Sequence, residues 1–102
     1  MIPFARSDRV SGLIQKVLSE ILQKNIKDPR LKMTTITGVE VSRDLKRARI
    51  FFTTPNGDRK KEAAIKGFNS AQGFIKRTLA DKLDLKYMPD IKFFYDESIE
   101  YG

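Results

Sequence analysis

The chain has 102 residues, the size of one domain, with no room for a second core. Apolar residues make up 40% and charged residues 32%; Lys and Arg number 20 against 13 Asp and Glu, giving a net charge of +7 and a pI near 9.8. Cys and His are both absent, which excludes disulfides and thiol chemistry, removes the commonest nucleophile–base pairs, and leaves carboxylates alone for any zinc site.

No cofactor and no metal is therefore expected. The charge suits a polyanion, although a plain basic surface without a nucleic-acid partner has the same balance. No apolar run approaches the roughly 18–20 residues of a membrane span. Arg6, Asp8 and Arg9 interrupt any signal-peptide core. A cytoplasmic protein with no membrane partner is the simplest expectation.

In chain order, the first predicted element is a helix over residues 7–24. Val10, Leu13, Ile14, Val17, Leu18, Ile21 and Leu22 form one stripe on a 3.6-residue repeat. Ser7 and Asp8 suit its start, and Asn25 suits a left-handed close. Asp28-Pro29-Arg30 then stops the helical pattern, because Pro29 cannot continue a helix.

Residues 33–42 read as a strand rich in Thr, Ile and Val. Ile36 sits on one parity while Val39 and Val41 sit on the other. One extra residue restores a common face, so a β-bulge is expected at Thr37–Gly38. The polar turn 42–46 leads into a second strand over 47–53, with Ala48, Ile50 and Phe52 on one face and Arg47, Arg49 and Phe51 on the other. The short connection predicts an antiparallel hairpin. Thr54-Pro55-Asn56-Gly57-Asp58 carries strong loop chemistry.

A second helical stretch is expected from Asp58 to Phe68, with a weak apolar face of Ala64, Ile65 and Phe68. Ser70 to Gly73 then interrupts it, and a third stretch runs from Phe74 to Leu83, with Phe74, Ile75, Leu79 and Leu83 as its core face. A last strand spans 91–95. The class is α+β, with helices packed on a small sheet.

The interruption is the most informative local feature. Free N–H groups at a helix start attract phosphate, Lys76 and Arg77 add charge, and Gly73 lets a backbone approach closely. The alternative is an ordinary helix joint with Gly73 as a bend. Phe51, Phe74, Tyr87 and Phe94 are candidates for stacking on bases; by its spacing with Ile75 and Leu79, Phe74 is assigned to the core instead. Asp28 beside Arg30, and Asp44 beside Arg43, read as turn residues and not as acid–base pairs. Asp96-Glu97 and Glu100 read as a solubilising end.

This element order matches type II KH domains, which clamp single-stranded RNA at a Gly-X-X-Gly loop. That loop is absent, and Ala71-Gln72-Gly73 stands in its place. The chain resembles ribosome-binding factor A over nearly its whole length. The resemblance is carried by Arg9-Val10, the 26–31 stretch from Ile26 to Leu31, the 35–45 stretch from Thr35 to Leu45, Ala48, the 70–77 stretch from Ser70 to Arg77, and the 89–98 stretch from Pro89 to Ser98.

The resemblance implies a single KH type II-like domain over 1–102. Its order is α-β-β-α-(kink)-α-β, with a three-stranded sheet, helices on one face, and the kink at Ala71-Gln72-Gly73. It implies binding to the small ribosomal subunit and its ribosomal RNA and a role in maturing the 5′ end. With no His, no Cys and no phosphate-gripping Gly-rich loop, no catalysis is expected, and with no dimer seam in the sequence a monomer is expected. The residues expected at the RNA are Ser70, Ala71, Gln72, Gly73, Lys76 and Arg77 at the joint. Lys82 and Lys86 lie beyond it, and Arg43 and Lys46 sit on the hairpin turn. A general single-strand RNA binder is the competing reading, and an interaction module for an acidic protein a third. Family members usually continue past the match at Asp96–Ser98, whereas this sequence stops at Gly102.

Overall fold

The stripe on the first helix sets the architecture. In the computed structural model, residues 6–55 and 57–97 are described; Asn56 of the predicted loop, and Ser98 and Glu100 of the C-terminal stretch, lie outside them. α1 (Arg6–Lys24) buries Val10, Ile14, Leu18 and Ile21. Val17 and Leu22 are only partly covered, and Leu13 is 42% exposed, so the stripe is narrower than its apolar positions suggest. The helix ends with the N–H groups of Asn25 and Ile26 both donating to the Ile21 carbonyl. Among the described residues the non-glycine positions with positive φ are Met33, Leu45 and Asp84, so Asn25 does not take the left-handed close expected of it.

A short 3-10 turn follows at Pro29–Leu31. The Asp28 side chain accepts from the Arg30 backbone N–H and pairs with the Arg30 guanidinium, Nη2 to Oδ2 at 2.7 Å. Arg30 thereby holds the Asp28 carboxyl below the usual carboxylate range. The turn seats Leu31 against α2 at Gly67, where a Cβ would stand 3.0 Å from Leu31 Cδ2. Gly67 is thus a close-packing glycine.

The sheet has the order β1-β2-β3, formed by β1 (Thr35–Val41), β2 (Arg47–Thr53) and β3 (Asp90–Tyr95). β1 and β2 are antiparallel, and β2 and β3 are parallel. Ile36 pairs with Phe52 and Gly38 with Phe51, so Thr37 is the extra residue of the expected bulge. Ile36, Ala48, Ile50, Phe52, Ile91, Phe93 and Tyr95 are buried under the helices, with Phe68 and Phe93 stacked at 4.2 Å between ring centroids. The opposite face carries Glu40, Arg49, Phe51, Lys92 and Phe94 and has no helix over it among the described residues.

Both outer strands are tied to helices through side chains. Ser11 Oγ accepts from the Val41 N–H at 3.1 Å, and Gln15 Nε2 donates to the Ile36 carbonyl at 3.4 Å, both on the outer side of β1. On β3, the Ile91 carbonyl points away from β2 and accepts from Gln72 Nε2 at 2.8 Å.

One expectation is corrected. The second and third helical stretches are a single α-helix, α2 (Lys61–Leu83), 23 residues long, preceded by a 3-10 turn at Gly57–Lys60. Residues 70–73 are helical throughout, so the observed order is α-β-β-α-β with no break between a second and a third helix. The reason is local. Ser, Ala, Gln and a lone Gly all tolerate a helix, with Gly costing about 1 kcal/mol against Ala, and none removes a backbone N–H as Pro would. Asp84, left-handed at φ 52°, closes α2.

Candidate nucleic-acid interface

Because α2 is continuous, residues 70–73 present no free helix-start N–H groups, and the anion site expected from them is absent. What the helix presents instead is a side-chain face. Ser70, Gly73, Phe74 and Arg77 follow the i, i+3, i+4, i+7 spacing, and all are exposed. Phe74 is 39% exposed, which corrects its assignment to the core; Ile75 and Leu79 fill the core without it. Phe74 lies one position round the helix from Ile75, at the rim of the inward face.

Gly73 is the telling member of this face. A Cβ there would meet nothing closer than Arg77 Nη1 at 4.0 Å. No packing, no positive φ and no turn calls for glycine at this position, yet it sits inside a helix where Ala is more stable. Its neighbours in the motif have structural duties. Ala71 packs against the core, and Gln72 clamps α2 to β3 through the Ile91 carbonyl.

The chain's other predicted cations divide into groups. Asp90 gathers one of them: its N–H donates to the Lys46 carbonyl at 2.9 Å, its Cα pairs with Arg47, and its Oδ1 lies 3.9 Å from Lys76 Nζ. Lys46, Arg47 and Lys76 therefore meet at one end of the sheet, a proximity that sequence spacing does not reveal. Arg43 belongs to the same end through the hairpin turn. That turn satisfies itself internally: Ser42 Oγ donates to Asp44 Oδ1 at 2.6 Å, and the Lys46 N–H donates to the same oxygen at 3.0 Å. The two bonds hold the Asp44 carboxyl below its usual range and leave the Arg43 and Lys46 side chains exposed. Lys82 is exposed in the last turn of α2. Lys86 lies in the following loop with its Nζ 5.6 Å from the ring centre of Tyr87, which is 78% exposed.

A cavity of about 860 Å³ lies among the end of α1, the Pro29–Leu31 turn and the start of β1. It contains none of these residues. Among the described residues no group of His, Cys, Asp or Glu is placed to hold a metal, and no helix is long and apolar enough to cross a membrane. Solvent-facing cations, an exposed aromatic and a bare glycine on one helix can position a polyanion and approach its backbone closely.

An α+β domain with two helices on one face of a three-stranded mixed sheet, and with a basic helix face, is the class that this geometry defines. A family model described as ribosome-binding factor A matches residues 6–102. Ribosome-binding factor A of Desulfosudis oleivorans is 55% identical over the full chain, which spans 79% of that protein. That of Desulfatibacillum aliphaticivorans is 50% identical, with 83% of its length spanned. The chain belongs to the ribosome-binding factor A family. A solution structure of a Thermotoga maritima protein assigned to ribosome-binding factor A superposes with a TM-score of 0.82 at 33% identity, over 100% of this chain and 97% of that one. A Thermus thermophilus ribosome-binding factor A, fitted into a cryo-electron microscopy map of a complex with the 30S subunit, shares the fold with a TM-score of 0.70 at 22% identity, over 85% of this chain and 91% of that one.

Proposed function

We propose that this chain is a non-catalytic assembly factor that binds the small ribosomal subunit and its ribosomal RNA in the cytoplasm. It acts as a monomeric single domain and assists maturation of the RNA 5′ end by holding a local conformation. Family membership supports the partner. The observation that carries the site is the exposed α2 face of Ser70, Gly73, Phe74 and Arg77 beside the cations gathered at Asp90, with Gly73 destabilising and without a packing return. RNA backbone approaches α2 there, Ser70 and Arg77 meet phosphates beside it, and Phe74 lies against a base or sugar. Lys76, Lys46 and Arg43 extend the contact around Asp90, with Lys82 and Lys86 at the far end of the helix. Ala71 and Gln72 act behind the surface by fixing α2 on the sheet.

The test is co-sedimentation with purified small subunits, beside large subunits and an unrelated RNA of matched length, at about 150 mM salt, where exposed charges are screened within about 8 Å. Selective pelleting with small subunits is the expected result. Equal pelleting with all three would overturn the assignment and leave the net charge of +7 as the whole explanation. In the K76A/R77A double variant, the dependence of log affinity on log salt should flatten by up to ~1 unit per lost contact. An unchanged slope removes both residues from the interface.

A further inference from the structure

The uncovered face of the sheet departs from the polar pattern that a solvent-facing sheet usually has. Its middle row is Gly38–Phe51–Phe94, three neighbours across the strands. Phe94 is 39% exposed and Phe51 half-buried, and their ring centroids lie 5.8 Å apart with planes inclined by 32°. Gly38 carries no side chain to cover Phe51, and a Cβ there would meet nothing within 4 Å. The row is a tilted aromatic pair with one open side.

The flanking charges say what it fits. The next row is Glu40–Arg49–Lys92, and the one beyond holds Arg47 and Asp90. Glu40 is taken up by Arg49 at 2.6 Å, and Asp90 faces Lys76 at 3.9 Å. Neither Arg47 nor Lys92 is held in a close ion pair among the described residues, although Arg47 lies within the field of Asp44. Paired aromatic rings beside exposed cations on an open sheet are the equipment for stacking unpaired bases and neutralising their phosphates. Two rings are too small an apolar patch for a stable protein interface, which needs about 800 Å² from each partner.

We infer that the open face of the sheet is a second RNA-contact surface, on which unpaired bases stack on Phe51 and Phe94 while Arg47 and Lys92 meet the phosphates. This rests on the RNA-binding reading above and adds a site on the opposite side of the domain from α2. A bound strand would then grip the domain from both sides of the sheet.

The experiment uses the full chain with an eight-nucleotide adenosine RNA, inorganic polyphosphate and small subunits as probes. Phe94→Thr should weaken RNA binding about fivefold or more, the loss of one stacking contact, and leave polyphosphate binding unchanged. Phe94→Tyr should restore RNA binding, and Phe94→Leu should not. In the unaltered chain, ring protons of Phe51 and Phe94 should shift upfield when the adenosine RNA is added. If Phe94→Thr and Phe94→Leu bind RNA and subunits normally, the ring signals stay put, and K76A/R77A still loses binding, the sheet site is wrong and the proposed function stands. If every variant binds subunits normally, the RNA-binding reading itself falls. If Phe94→Leu restores binding as fully as Phe94→Tyr, the patch is a plain apolar contact and base stacking is refuted.

Discussion

α1 and α2 lie on the same face of the same sheet, yet their outward faces differ. In α1, Val10, Ile14, Leu18 and Ile21 go inward and Ser11 and Gln15 satisfy the edge of β1, while Gly12 and Leu13 stay exposed without a packing role. α2 obeys that logic up to Phe68 and again at Ile75 and Leu79, but it breaks it at Gly73 and Phe74. A helix built only to close a core would place Ala and a polar residue there. Each helix thus carries an open glycine beside an exposed apolar side chain, and α2 differs in that one of its cations, Lys76, meets the hairpin and sheet cations around Asp90, as a contact surface requires.

The comparison can be broken most forcefully at α1. Leu18 is fully buried, so Leu18→Ala should cost ~2–5 kcal/mol, read as a lower urea midpoint. An unchanged midpoint would mean that the α1 stripe does not anchor the core. Next is the point where α2 follows packing. Gly67→Val pushes two methyl groups towards Leu31, which is 3% exposed and has little room to yield, and should cost ~1–3 kcal/mol. A neutral result would show that the Pro29–Leu31 turn moves freely on α2.

Gly73→Ala sharpens the contrast because its two readouts should diverge. Thermal stability should rise by ~0.5–1 kcal/mol, as for any open helix-interior glycine, while affinity for small subunits falls. Stability rising with binding intact would return Gly73 to a neutral surface position. The smallest effect is a titration. The Asp28 carboxyl lies below its ordinary value of 3.8 because the Arg30 side chain and backbone donate to it. The support it lends to the 3-10 turn is complete above that value and is lost as pH falls through the lower, folded value. The Arg30 amide resonance should therefore titrate with a midpoint below 3.8. A midpoint at or above 3.8 would show that the cap is not formed in solution.

Local chemistry was legible wherever it decided the outcome. The phase change between Ile36 and Val39 located the bulge at Thr37, and the parity of residues 47–53 assigned both faces of β2. Continuity of α2 was not legible, because Ser70-Ala71-Gln72-Gly73 has middling helix propensity and the tertiary contact of Gln72 with Ile91 is invisible in sequence. The same limit hid the meeting of Lys46, Arg47 and Lys76 around Asp90, which depends on β3 lying parallel to β2. The motif 71–73 was read as one site, but its three residues turn to different surroundings. Only Gly73 faces solvent, and that follows from a helical phase which an assumed break had obscured.

The side-chain bonds on the outer strands bear on how the protein behaves in company. A bare sheet edge is a template on which a strand from another chain can add. Here an arriving strand would find the Val41 N–H taken by Ser11, the Ile36 carbonyl by Gln15 and the Ile91 carbonyl by Gln72. A small sheet with one face uncovered is thus guarded at its margins by two amides and a hydroxyl. Crowding of many copies is resisted by occupied backbone groups as well as by charge.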